Sequence, residues 1–248
     1  MTVIGYVQAE TPPDGGKRGK PHIVFLITED SLNYDAHITI PRFAKLLEDS
    51  YGYRTSVLLG KGGHASCIFP RMDLLKKADL LVVFCRRVAI PEGQMKILKA
   101  YLKDGKPLIG IRTANHAFTP FEQPEAGFEA WPEFVDSILG CKNRGYGPVV
   151  PGTEVKLVQD AVSHPVLKNI EPTQWHSNGN VYLVAPLLDD SAEILATGEA
   201  EGNKQPVAWT RLAGRSRVFY TSMGYPDDFE LSPFRQLLLN GIAWALRK

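Results

Sequence analysis

Four short runs that are apolar nearly end to end, with helical spacing between them, constrain this chain more than any other feature. They are His22-Ile-Val-Phe-Leu-Ile-Thr28, residues 55–59, Asp79-Leu-Leu-Val-Val-Phe-Cys85 and Pro107-Leu-Ile-Gly-Ile111. A strand that alternates apolar and polar residues has one face in water. A continuously apolar strand is covered on both faces, as in a parallel sheet flanked by helices. The intervening stretches supply the helices. Pro41 is read as opening one over residues 41–47, with Arg42, Lys45, Glu48 and Asp49 on its wet face, and residues 72–77 form a short one. Pro91 begins a third that reaches Leu102, with Gly105 just past its end.

Strand–helix alternation of this kind builds right-handed crossovers on one sheet. The order fits an α/β fold with a flavodoxin-like, doubly wound core: a mostly parallel central sheet with helices on both faces. The second half reads as a helix over residues 131–139, a glycine-rich loop over 140–152, and shorter strands at 155–158, 181–184, 194–197, 207–211 and 217–221. A last helix over 233–246 carries Phe234, Leu237, Leu238, Ile242 and Ala245 on one face. No repeat or linker divides the chain, so one domain is expected over residues 21–248, after a Pro- and Gly-rich lead-in over 1–20. Residues 2–9 are mildly apolar, and Val7-Gln8-Ala9 has something of a cleavage site. The charged n-region and full h-region are missing, so no signal peptide is assigned, and the compartment stays open between cytoplasm and export.

With 28 Lys and Arg against 27 Asp and Glu, the net charge is +1, and no basic run exceeds Lys17-Arg18-Gly19-Lys20. Phosphate backbones need a clustered basic face, so a nucleic-acid partner is disfavoured. No apolar stretch approaches a membrane span. Cys67, Cys85 and Cys141 are odd in number and lack CxxC spacing, which argues against a disulfide framework and a structural zinc site.

Ligands of open α/β sheets sit outside the carboxyl ends of the strands. Those ends should bring together Glu29, Asp30, Arg86, Arg87, Arg112, Asn115 and His116, joined by Tyr225, Asp227 and Asp228 from a late strand. Arg112 stands at the strand-to-turn corner where a nucleophile elbow would place its reactive residue, but a guanidinium only donates hydrogen bonds. One reading is a polar pocket for a hydroxyl-rich or anionic small molecule, with arginine donating and carboxylates accepting from sugar hydroxyls. The other is a buried ion network of Arg112 with Glu29 or Asp30 that merely closes the sheet top. His116 is open to the roles of general base, metal ligand or partner of loop backbone. His37 follows the first strand and would fold over the pocket. Asp35 and His37 would bind a divalent metal only if His116 or His176 came near, so no metal site or cofactor is assigned. Trp175-His176, in a loop with Gly and Asn, would offer a stacking platform for a sugar ring or a contact with a partner subunit, and self-association stays open. Gly60-Lys-Gly-Gly-His64 lacks phosphate-loop spacing and is read as a turn.

Two segments resemble class I glutamine amidotransferases. Pro107-Leu-Ile-Gly-Ile-Arg112 has the form of their elbow strand, with Arg112 in the cysteine's place. Arg217-Val-Phe-Tyr-Thr-Ser-Met-Gly-Tyr-Pro-Asp227 is similar to their His-Pro-Glu strand, with Tyr225-Pro226-Asp227 in the matching places. The ThuA-like (trehalose-utilisation) branch of that superfold resembles the chain more closely, from about His22 onward. It does so through Gly110-Ile-Arg-Thr-Ala-Asn-His-Ala-Phe118, Val162-Ser-His-Pro-Val-Leu167, Pro206-Val-Ala-Trp209, Arg217 to Gly224 and the last helix. The resemblance implies a protein of carbohydrate metabolism. Because the triad positions hold Arg112, Tyr225 and Asp227, it implies no thiolate-based amide hydrolysis. Catalysis would then be acid–base chemistry by His116 with a carboxylate, supported by Arg112, Tyr225 and Asp227. Glu29, Asp30, His37, Arg86, Asn115, Trp175 and His176 would contact substrate. The alternative is a non-catalytic binding or assembly module on the same scaffold.

Overall fold

The computed structural model describes residues 19–247. The lead-in read over residues 1–20 lies outside them save its last two positions, and the leader-like residues 2–9 lie wholly outside. The first half runs β1 (His22–Thr28), α1 (Ala36–Tyr51), β2 (Arg54–Gly60), β3 (Leu80–Phe84), the two-residue β4 (Ile90–Pro91), α2 (Glu92–Lys103) and β5 (Leu108–Ile111). The second runs β6 (Phe128–Glu129), β7 (Thr153–Leu157), β8 (Gln174–Ser177), β9 (Glu193–Ala200), β10 (Asn203–Ala213), β11 (Ser216–Thr221) and α3 (Ser232–Ala245).

The uniformly apolar β1 is buried along its whole length, as its composition demands. Side chains alternate across a strand, so Ile23, Phe25 and Ile27 enter one core cluster and Val24 and Leu26 the other. The first cluster is closed by α1 and α3 through Ile40, Phe43, Phe234 and Leu238. The second is closed by α2 through Met95, Leu98 and Tyr101, and by Met72, Phe134 and Leu139. Helical elements therefore cover both faces.

The main sheet has the order β2-β1-β3-β5-β11-β10-β9-β7-β8. Pairing is parallel from β2 through β11 and antiparallel from β11 to β8. β1, β3, β5 and β11 are thus successive neighbours, and their carboxyl ends line up on one edge. Pro206 has no N–H to give to the ladder, and the register between β10 and β9 shifts just after it.

Several elements differ from their sequence-based reading. Pro41 lies inside α1, which already starts at Ala36, because the apolar face of Ala36, Ile40, Phe43 and Leu47 outweighs the one backbone bond proline removes. Residues 72–77 form a 3-10 turn, and the helix expected over 131–139 shrinks to residues Phe134–Leu139 in π-type winding. Residues 181–184 form no strand; they contribute only the single bridge Tyr146–Tyr182. Gln174–Ser177, read as loop, is the edge strand β8.

Candidate functional site

The strand tops are fastened together by Asn33, in the loop after β1. Its Nδ2 donates to the carbonyls of Thr28 and Phe84, both at 2.9 Å, and its Oδ1 accepts from Thr113 Oγ1 at 2.5 Å. One buried amide so ties the ends of β1 and β3 to the turn after β5. Thr28 Oγ1 also accepts from the Arg86 backbone N–H at 3.0 Å.

The elbow after β5 is present, and Arg112 occupies it with a left-handed φ of +44°. Gly110 precedes it because a Cβ there would come within 2.9 Å of the Tyr220 ring, while Tyr220 Oη donates to the Arg112 carbonyl at 2.8 Å. The guanidinium does not enter an open pocket: Arg112 is 1% exposed. Its Nη1 donates to the Ser222 carbonyl at 2.9 Å and its Nη2 to Asn180 Oδ1 at 2.7 Å. The Tyr34, Tyr182 and Tyr225 rings surround it at 3.9, 4.8 and 5.9 Å from its central carbon. Gly179 closes over it, where a Cβ would lie 2.9 Å from Nη1. Burial works against this charge, but Tyr182, Tyr34 and Asp228 outweigh it and hold the guanidinium protonated. The ion network with Glu29 or Asp30 is not formed.

Those acids belong to a separate open depression of roughly 640 Å3, lined by Glu29, Asp30, His64, Arg86 and Phe121. Asp30 Oδ2 accepts from His64 Nε2 and Arg86 Nη1, both at 2.9 Å, and its Oδ1 accepts from the Leu32 backbone at 2.7 Å. Burial pushes the Asp30 carboxyl up, but the hydrogen bonds from His64, Leu32 and Arg86 prevail and hold it below the usual range. Phe121 is 62% exposed; its ring lies 5.5 Å from that of His64, with the Arg86 and Arg87 guanidiniums at 5.4 and 4.5 Å.

His116 and Asn115 line a second depression, with Arg87. His116 Nδ1 lies 2.5 Å from Asn115 Oδ1 and 3.2 Å from both Asn143 Nδ2 and Tyr146 Oη. Burial, then Arg87, Arg86 and Arg112, push its pKa well down, so the ring is neutral. Among the described residues no carboxylate touches it, and the expected acid–base partner is not among its contacts.

The remaining candidates scatter. Tyr225 stacks in the tyrosine seat of Arg112, but Asp227 is exposed and accepts from Asn178 Nδ2 at 2.9 Å. Its neighbour Asp228 is the buried acid, accepting from the Gly224 and Tyr225 backbones at 2.8 and 2.9 Å. His37 is half-buried in the first turn of α1 and lines neither depression. Trp175 is 7% exposed and packs into the core from β8, so it is no stacking platform. His176, on the same edge strand, pairs with Glu154 at 2.6 Å. Among the described residues no three His, Cys, Asp or Glu side chains gather to hold a metal ion. Burial pushes the Cys67 and Cys141 thiols up to about 12 and that of Cys85 well above its usual value, so none is a ready thiolate. No helix among the described residues is long and apolar enough to cross a membrane.

Sequence reasoning missed Tyr34, Tyr182, Asn33, His64 and Phe121. Only Phe121 carried a usable signal, as an aromatic isolated in a polar, proline-flanked loop.

A family model described as trehalose utilisation (ThuA) matches residues 26–245. Among solved structures, a ThuA-like protein from Bacteroides uniformis ATCC 8492 superposes with a TM-score of 0.67 at 17% identity, covering 95% of each chain. One from Parabacteroides merdae ATCC 43184 gives 0.66 at 19% identity, covering 92% of this chain and 90% of that one. The β-galactosidase from Rahnella sp. R3 gives 0.58 at 13% identity, covering 93% of this chain and 32% of that one. At these identities the structures speak to the fold. A search of curated proteins finds no match.

Proposed function

We propose, on the premise that this chain belongs to the ThuA (trehalose utilisation) family, that it binds a sugar-like small molecule in the depression above β1 and β3. The observation that carries this reading is the convergence there of Glu29, Asp30, Arg86 and His64 with the exposed ring of Phe121. Carboxylates accept from sugar hydroxyls, a guanidinium donates to ring and hydroxyl oxygens, and an aromatic face takes the C–H face of a pyranose. A volume of roughly 640 Å3 suits a small carbohydrate. Proton transfer in this site falls to His64, whose Nε2 is engaged by Asp30 at 2.9 Å while Nδ1 faces the exposed Glu122 carboxylate at 3.9 Å. A base oriented by a carboxylate is the arrangement general acid–base chemistry needs. His116, with no carboxylate in contact among the described residues, does not fill that role, and Arg112 supports the strand tops from behind. With arginine at the elbow and its thiols buried, the site does not hydrolyse amides through a cysteine.

A panel of neutral mono- and disaccharides tests the reading by thermal shift and calorimetry. At least one sugar should raise the melting temperature of the full chain, and Phe121→Ala or Asp30→Asn should remove that response. The second reading, a non-catalytic assembly module, draws on the closed elbow. It replaces the first if no sugar shifts the transition, or if both variants respond like the parent.

A further inference from the structure

The second depression, roughly 600 Å3, is lined by Arg87, Asp136 and Lys142, and the Arg87 guanidinium shares the Phe121 ring with Arg86 of the first. Its lining is rich in donors. Arg87 adopts a left-handed φ of +51°. Among the described residues its guanidinium has a long 3.4 Å bond to the Thr119 carbonyl and the face of Phe121, and no carboxylate partner. Asn115 is 0% exposed, and its Nδ2 is sealed from solvent without a hydrogen-bond partner. Asn143 Nδ2 reaches Tyr146 Oη at 2.9 Å. The one carboxylate in the lining, Asp136, sits 4.0 Å from Lys142 Nζ.

The electrostatics agree with this inventory. Arg87, Arg86 and Arg112 all act on His116, and the acid opposing them is Asp30, already engaged by Arg86. A buried donor without an acceptor destabilises the fold that holds it. Such a group beside uncompensated guanidinium charge is what an oxyanion relieves.

We propose that this depression is an oxyanion subsite, taking the carboxylate or phosphoryl group of an acidic sugar whose hydroxylated part lies in the neighbouring depression. The identity of the carrier rests on the function proposed above; the anion site itself does not.

Calorimetry on the full chain at low ionic strength, with glucose, gluconate, glucose 6-phosphate and inorganic phosphate, tests it. Gluconate or glucose 6-phosphate should bind at least about tenfold tighter than glucose, the worth of one charge-assisted hydrogen bond. That advantage should shrink with added salt, and whichever acid binds more tightly identifies the anion as carboxylate or phosphoryl. Arg87→Asn, a residue that tolerates the left-handed backbone, should cut the preference for the anionic sugar by roughly tenfold. The exposed Lys142→Gln should weaken it by a smaller factor without threatening the fold. Anionic sugars no tighter than glucose overturn the subsite and leave the sugar reading standing. Phosphate bound in an Arg87-dependent way, with no sugar of either kind bound, supports the subsite and overturns the sugar reading. No anion binding at all, or preference unchanged in both variants, rejects the subsite.

Discussion

The side chain that most nearly defines this protein is Arg112, a guanidinium at the elbow with no carboxylate bonded to it. Burying such a group costs several kcal/mol unless its donors are met. Here Ser222 and Asn180 accept from the two terminal nitrogens and three tyrosine rings surround the plane, with Asp228 supplying opposite charge. Nε is left without a hydrogen-bond partner among the described residues. An ammonium has neither the fork to reach both oxygens nor a planar face to stack. Arg112→Lys is therefore expected to lower the free energy of unfolding by about 2 kcal/mol. Urea denaturation measures it, and an unshifted midpoint would deny the tyrosine seat any role in stability. The place of Arg112 at the end of β5 is legible in the apolar run before it. Its company is not: Asn180 and Ser222 stand 68 and 110 positions away in the chain.

Among the elements, the loop from β1 into α1 does most to shape the site. Asn33 there holds three strand ends with one amide, so Asn33→Ala strands two carbonyls and the Thr113 hydroxyl. A loss of about 2–3 kcal/mol is expected, read as a lower denaturation midpoint. Circular dichroism should show an unchanged secondary structure; a variant as stable as the parent would mean the strand tops need no such tie. Pro41, five residues past the start of α1, offers no N–H to the carbonyl four residues before it. Pro41→Ala is expected to raise stability by about 1 kcal/mol in thermal unfolding, and a lower melting temperature would show that its rigidity matters more. Proline misleads here because it marks helix starts only on average, whereas tertiary burial of Ile40 and Phe43 sets where α1 begins. β8 escapes notice for a related reason: four residues with burial alternating along them, Trp175 inward and His176 outward, carry too short a period to read.

Over the whole molecule, burial leaves a mark on pH response. It depresses His116 strongly and His22 and His164 more mildly, with nearby arginines adding to the effect. Each ring stays neutral in the folded state where the unfolded chain, near 6.5, takes up a proton. Stability is then full above pH 6.5 and falls as the pH is lowered through that value toward the folded pKa values. His116 alone gives a slope of at most about 1.4 kcal/mol per pH unit. Urea midpoints between pH 7.5 and 5.5 should fall in the parent and fall less in His116→Gln; equal slopes would show that His116 is not the buried neutral ring described. At this scale the division between what the chain states and what folding adds is clear. The strand–helix alternation, the two-faced sheet and the elbow follow from the amino-acid sequence alone, because hydrophobic period and turn chemistry are local properties. Which polar groups meet was decided only in three dimensions. Arg112 passes by Glu29 and Asp30 for tyrosines at 34, 182 and 225, and Asp30 takes His64 and Arg86 instead, because a buried charge is satisfied by whichever loops close over it, and loop closure leaves no periodic trace in the chain.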